Sequence, residues 1–270
     1  MRKFCDTSGL AYWQLRDYLK EGRQEARQKR RERLQAQGRL VEQISLQHPT
    51  YGYRLVHHEM VQRGVEDLPG LQKVRVLMGE LALQPKAHRK RRKAAKVTPR
   101  VMWPGGRRVQ MDATQVELQS GQKRWVYSVK DVESRACLGL YPTTGLSGVT
   151  ARQVLQGAVQ RLVEYGVVKA GDALVIQTDG GSDFTSHEFQ GYCQEVGAWI
   201  RSKVSQGGGM GILERMHRTF KYDYLFRHEV NNDQELREVC EGFMRWYNTE
   251  RPHTALGYRT PASLLADSAA

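Results

Sequence analysis

Three acidic residues draw attention by where they fall in the hydrophobic rhythm of the chain: Asp112, Asp179 and Glu214. Asp112 interrupts "RVQMDATQVEL", whose apolar and polar residues alternate, and a strand interior disfavours an unpaired carboxylate. Asp179 ends the apolar run in "DALVIQTD" and is followed at once by Gly180 and Gly181. An Asp before two glycines is a common turn former, and it is equally suited to be a charged ligand with clearance beside it for a phosphate backbone. Glu214 lies in "ILERMHRTFKYDYLF" and taken alone is an ordinary helix residue. If the strands of Asp112 and Asp179 are neighbours, their carboxylates converge at one edge and the Glu214 helix can lie across it. Three such groups without cationic partners repel one another, and a hard divalent cation such as magnesium relieves the repulsion while keeping waters for a substrate. Two such ions about 4 Å apart activate an attacking oxygen and stabilise the leaving one in phosphoryl transfer.

The elements needed to position these acids are legible. From residue 108, "RVQMDATQVEL", "RWVYSVKDV" and "CLGLY" read as three strands of an antiparallel meander, joined by the turn "SGQ" and a short loop. A helix aligns Ala151, Leu155, Ala158 and Leu162; "DALVIQTD" is a fourth strand, apolar enough for the middle of a sheet. "SHEFQGYCQEVG" is a helix, "AWIRSK" a fifth strand, and the glycine-rich "SQGGGMG" leads into the Glu214 helix, with "DQELREVCEGFMRWYN" the last. This order predicts an α/β fold, a mixed five-stranded sheet flanked by helices. Residues 10 to 83 read instead as all-helical. Two helices break at His48-Pro49, Gly64 stops the second, and a third places Leu71, Val74, Leu77, Met78 and Leu81 on one face. Three short helices with sharp breaks suit a small helix-turn-helix-like module, as they suit other small bundles.

Charge divides the chain in the same place. Of 42 Lys and Arg and 29 Asp and Glu, the first 100 residues hold 23 and 10, so the net +13 lies there and the remaining 170 residues balance. A lopsided basic arm attracts polyanions, nucleic acid above all. Its densest part is "PKAHRKRRKAAKVTPR", residues 85 to 100, with eight basic residues and no acid; Arg89, Lys90, Arg91, Arg92 and Lys93 are candidate phosphate contacts. The other reading of that stretch is a solvated tether. In "RQKRRERLQ" acids interrupt the run, and a charged helix surface competes with a DNA contact. No apolar run approaches the roughly 18 residues of a membrane helix, and the N-terminus lacks a signal-peptide apolar region. Cys5, Cys137, Cys193 and Cys240 form no C-x-x-C pair, so reduced, partly buried thiols of a cytoplasmic protein are expected, with neither a disulfide framework nor a zinc site.

Several motifs in order resemble the DDE transposases of insertion sequences, specifically the second-reading-frame subunit of the IS-three family, whose catalytic core is shared with retroviral integrases. "HPTYGYRLVHHEMVQRG" and "LQKVRVLMGELAL" resemble the family's helix-turn-helix segment, in which Arg54 is a candidate DNA contact. "QMDAT" resembles the first-aspartate strand, "TDGGSDFTSHEF" the second-aspartate block, "ERMHRTFKYDYL" the glutamate helix, and "YNTERPHTALGYRTPASLL" the C-terminal signature. The resemblance implies an RNase H-like fold and a catalytic, metal-binding triad of Asp112, Asp179 and Glu214. It also implies a pair of Mg²⁺ ions, with Mn²⁺ an accepted substitute. At that one site water first hydrolyses a phosphodiester at the element's end, and the freed 3′-hydroxyl then attacks another strand. The partners implied are double-stranded DNA (element ends and target), further copies of the chain on that DNA, and a partner reading-frame product; the setting is the bacterial nucleoid. Two departures stand out. "GGGMGIL" replaces the Asp-Asn pair that precedes the glutamate in the family, and Asp183 puts a charge where a neutral polar residue is expected.

On the glutamate helix, Leu213, Met216 and Phe220 share an apolar face, while Glu214, His217, Arg218 and Lys221 share another. That basic strip is suited to gripping phosphates beside the scissile one. Asp131 reads as a strand-end cap or a supplementary ligand, and Asn248, Arg251 and His253 as residues packing the C-terminal segment on the core. The expected divisions are a helix-turn-helix-like region over 1–84, a basic linker over 85–107, an RNase H-like core over 108–230 and a C-terminal helix and tail over 231–270. Two other functions fit the same residues: a nuclease of this fold that cuts without joining, and a repurposed copy that only binds DNA.

Overall fold

The break expected at His48-Pro49 separates helix α1 (Tyr12–Gln47) from helix α2 (Tyr53–Gln62) in the computed structural model, which describes residues 12–85, 106–202 and 209–269. Gly64 takes a left-handed φ of 65° just beyond α2, and the amides of Gly64 and Val65 return to Val61 and Met60, which is how a glycine ends a helix. Helix α3 (Leu71–Glu80) buries Val74, Leu77 and Met78 against Val41 and Ile44 of α1 and Val56 and Met60 of α2. Two expectations need correction. Helix α1 runs 36 residues, so the bundle is not made of three short helices. Leu81 lies past the end of α3 and is 40% exposed, because the helical stripe stops before it. The run "RQKRRERLQ" is an exposed stretch of α1, where Arg33 pairs with Asp67.

The chain divides into two compact units, Met1–Lys90 and Arg91–Ala270. In the second, strands β1 (Arg107–Glu117), β2 (Lys123–Asp131) and β3 (Cys137–Thr143) form the antiparallel meander, and β4 (Leu174–Thr178) and β5 (Gly197–Arg201) join parallel to β1. The order across the sheet is β3-β2-β1-β4-β5. Period-two alternation gives each strand two faces. Val109 and Met111 of β1, with Tyr127 and Val129 of β2, face one core with helix α4 (Gly148–Glu164) and helix α5 (His187–Val196). Val116, Leu118 and Val126 face a second core with helix α6 (Gly211–Arg218) and helix α7 (Asp233–Arg245). Ser147 and Ser186 cap α4 and α5 by accepting from Thr150 N and Phe189 N. Gly197 has φ 153°, and a Cβ there would stand 2.0 Å from Leu174 O, so α5 can turn directly into β5 only through glycine.

Helices α6 and α7 each pass into a π-helical turn, Thr219–Tyr224 and Trp246–Glu250. Both turns feed one aromatic cluster: Phe243 lies 5.1 Å from Phe220, 5.6 Å from Tyr224 and 5.1 Å from Tyr247, ring centre to ring centre. Asn248 closes the free edge of the sheet, its amide accepting from Cys137 N and donating to Cys137 O, each at 2.9 Å. His253 is buried against Tyr247, and Arg251 lies 5.8 Å over the rings of Trp246 and Tyr247. Helix α8 (Pro261–Ala269) follows. Cys137, Cys193 and Cys240 are buried free thiols.

Candidate active site

The two aspartates are levelled by a pair of glutamines. Strands β1 and β4 are neighbours, with Gln110 in register with Gln177, and their buried side chains share a 2.9 Å hydrogen bond. Asp112 and Asp179 each stand two residues further along, so a Gln-x-Asp spacing is repeated on adjacent parallel strands. Asp112 and Asp179 also treat their first oxygen alike: Asp112 Oδ1 accepts from Ala113 N at 2.8 Å, and Asp179 Oδ1 accepts from Gly181 N at 2.9 Å. Asp179 thus closes a turn and still keeps its second oxygen for another use.

Helix α6 and the residues leading into it are fastened to this edge at four points. Gln110 accepts from Leu213 N at 3.0 Å and donates to Gly209 O at 3.2 Å. Lys130 Nζ donates to Ile212 O at 3.3 Å, and Ser128 Oγ meets His217 Nε2 at 2.5 Å. Glu214, exposed, sits between these anchors. Burial raises the Asp112 carboxyl, and the charges of Asp179, Glu214 and Asp183 add to the rise against the Ala113 hydrogen bond, to about 7. The four acids therefore share one field. Among the described residues no Lys or Arg forms an ion pair with Asp112, Asp179 or Glu214, and His217 Nδ1, 3.9 Å from Asp112 Oδ2, is the sole pairing there. As the side chains stand, no three of His, Cys, Asp or Glu among the described residues are grouped closely enough to hold one metal ion.

His217 departs from the expected basic strip. It is buried, and burial followed by Lys221 and Lys130 lowers its pKa to about 4, so it is neutral at pH 7 and serves as a hydrogen-bonded strut to Ser128. Arg218 is exposed, while Lys221 lies in the π turn with its ammonium donating to Gln115 O at 2.7 Å. Arg54 is exposed on α2, its guanidinium 5.9 Å from the Tyr53 ring. Arg89, Lys90, Arg91, Arg92 and Lys93, the rest of the 86–100 stretch and most of the glycine-rich loop lie outside the described residues. Asp131 is fully buried, bonded to Arg107 at 2.8 and 3.1 Å and to Ser134, so it is a strand-end cap. Asp183 is buried and accepts from Tyr127 OH at 2.7 Å. The clearance expected at the two glycines is already occupied, by Arg201 over Gly180 and by carboxylates over Gly181. Sequence reading missed Gln110, Gln177, Ser128 and Arg201; the repeated Gln-x-Asp was the available signal for the first two.

A mixed sheet ordered β3-β2-β1-β4-β5, with one aspartate inside a central strand, another just past the end of its neighbour and a glutamate on a helix laid across them, has the layout of an RNase H-like core. Two integrase core domain families match, one over residues 105–202 and the other over residues 199–261. The transposase InsD for insertion element IS2A/D/F/H/I/K of Escherichia coli is 26% identical over 229 residues, covering 82% of this chain and 75% of that protein. The HTLV-2 integrase catalytic core domain in complex with magnesium superposes with a TM-score of 0.44 at 19% identity, over 58% of this chain and 93% of that one. A simian T-cell lymphotropic virus intasome chain superposes at 0.48 and 16%, over 84% and 74%. Residues 105–261 thus carry an integrase core domain, and the chain is similar to a transposase of an insertion element.

Proposed function

We propose that this protein cuts DNA at the ends of a bacterial insertion sequence and joins the freed ends to a target, with Asp112, Asp179 and Glu214 as its catalytic carboxylates. The observation that carries the reading is the uncompensated acidic edge. Two aspartates are levelled on adjacent strands, a glutamate helix is pinned over them, and burial together with the neighbouring acids raises Asp112, with no Lys or Arg among the described residues in an ion pair with any of the three. An all-oxygen donor set of this kind fits a hard divalent cation, Mg²⁺ foremost and Mn²⁺ as a substitute, two ions in the full reading. Bound there, such ions supply Lewis-acid stabilisation of the attacking and leaving oxygens of a phosphodiester.

The chain's own residues do the rest. Asp112 and Asp179 present oxygens fixed by backbone hydrogen bonds, so little reorganisation is needed when substrate arrives. Arg218, exposed beside Glu214, and Lys221 on the following turn bind phosphates flanking the scissile one; the basic residues of the N-terminal arm hold the duplex further away. Water attacks first and a 3′-oxygen leaves; that hydroxyl then attacks a target phosphodiester. Joining two ends calls for more than one copy of the chain on the DNA. A partner-frame product and work at the nucleoid complete the reading.

The test is a strand-transfer assay with the full-length chain on duplexes bearing the inverted repeat that flanks its gene. Wild type is expected to cut, and to join precleaved ends, in Mg²⁺. Asp179→Asn should abolish both, by at least a thousandfold, with DNA affinity and melting temperature retained. Cutting without joining would make the protein a nuclease. Binding with neither step, unchanged by Asp179→Asn, would make it a DNA-binding protein alone.

A further inference from the structure

The space above Gly180 is filled from the end of the neighbouring strand. A Cβ placed on Gly180 would fall 2.2, 2.3 and 2.5 Å from the Nη2, Nε and Cζ of Arg201. With the two nitrogens nearest and Cζ behind them, the guanidinium meets this position by its Nε–Nη2 edge. Register explains how it arrives: Arg201, the last residue of β5, pairs with Thr178, the last of β4, so its side chain reaches across to the turn after Asp179. Arg201 is exposed, and among the described residues it has no hydrogen bond or ion pair, although the carboxylates of Asp179 and Asp183 crowd the adjacent Gly181. Nη1 then lies on the far side of Cζ, and the Nη1–Nη2 edge remains to fit two oxygens of a phosphodiester. An edge carrying several acids repels a DNA strand, and a cation beside Asp179 offsets that repulsion where the strand must approach.

We infer that Arg201, seated on Gly180, is a binding site for a backbone phosphate of the DNA strand that runs along the acidic edge; this rests on the function proposed above. It also explains the glycine: any side chain at 180 would displace the guanidinium.

The experiment measures binding of the full-length chain, without divalent cation, to the flanking inverted-repeat duplex in which single phosphates are replaced by uncharged methylphosphonates. Wild type is expected to lose roughly tenfold in affinity at one position near the cleavage point. Arg201→Ala should bind the unmodified duplex weaker by the same factor, with an unchanged melting temperature, and should be indifferent to that one replacement. Arg201→Lys should recover only part, since an ammonium lacks the planar fork. Gly180→Ala should reproduce the Arg201→Ala profile, and the double variant should be no worse than either alone. An Arg201→Ala variant with wild-type affinity and a wild-type methylphosphonate profile overturns the inference, whether or not Gly180→Ala folds. If wild type neither cuts nor joins but the Arg201-dependent position is present, the site stands and the transposase reading falls.

Discussion

At the scale of single residues, the site is a place where stability has been given up. Asp112 is half-buried among other acids, with one backbone N–H and no cation from the described residues to offset it. Asp112→Asn keeps the shape and the Ala113 hydrogen bond while removing the charge. Its expected effect in cation-free buffer is a gain of about 1 kcal/mol, a rise of roughly 2–4 °C in melting temperature, accompanied by loss of cleavage. Scanning calorimetry of the two proteins checks it, and a fall in melting temperature would remove the repulsion argument. The two aspartates stood out because each breaks a pattern, one acid lying inside an alternating strand and the other before two glycines, whereas Glu214 alone is an ordinary helix residue and stood out only through the resemblance. His217 was not legible. A histidine three residues after Glu214 on a helix rich in arginine looks basic, and only the approach of Ser128 from β2 makes it a buried neutral strut.

At the scale of elements, the first strand was readable from period two, the fourth from its apolar run and the helices from their apolar stripes, whereas the two π turns left no trace in the sequence. Nothing local in "TFKYDY" or "WYNTE" asks for i→i+5 bonding; the packing of Phe220, Tyr224, Phe243 and Tyr247 into one cluster overrides the local preference. Between these turns and the sheet lies Lys130, buried, its ammonium 2.7 Å from Tyr247 OH as well as on Ile212 O. Burial lowers its pKa to about 7; the neighbouring Cys137 thiol opposes the fall, and Arg135, Arg251 and Arg215 add to it. Tyr247 and Cys137 are themselves pushed upward by burial and stay protonated across the range concerned. From pH 7 to 10.5 the unfolded chain therefore holds a proton that the folded chain has released, and stability rises with pH over that window. Lys130→Met should remove this slope, while losing about 1–3 kcal/mol at pH 9 because Tyr247 OH is left without its partner. Urea denaturation at pH 7.5 and 9.5 measures both, and parallel pH profiles for the two proteins would contradict the assignment.

At the scale of the whole molecule, charge and fold divide the labour. The net +13 lies in the first 100 residues, while the catalytic unit is close to neutral. Deleting residues 85–100, which carry eight basic side chains, should weaken DNA binding and flatten the slope of log affinity against log salt by several units. Titrations at a series of KCl concentrations read that slope directly, and an unchanged one would exclude these residues as phosphate contacts. Composition revealed this division, but it could not reveal how Glu214 is held in place. The helix that bears it is tied to β1 and β2 through Gln110, Lys130 and Ser128. The sheet that carries the two aspartates is thus also what aims the glutamate. Evolution can accordingly rewrite surfaces remote from these three side chains to suit a new target, while the cutting machinery stays in tune.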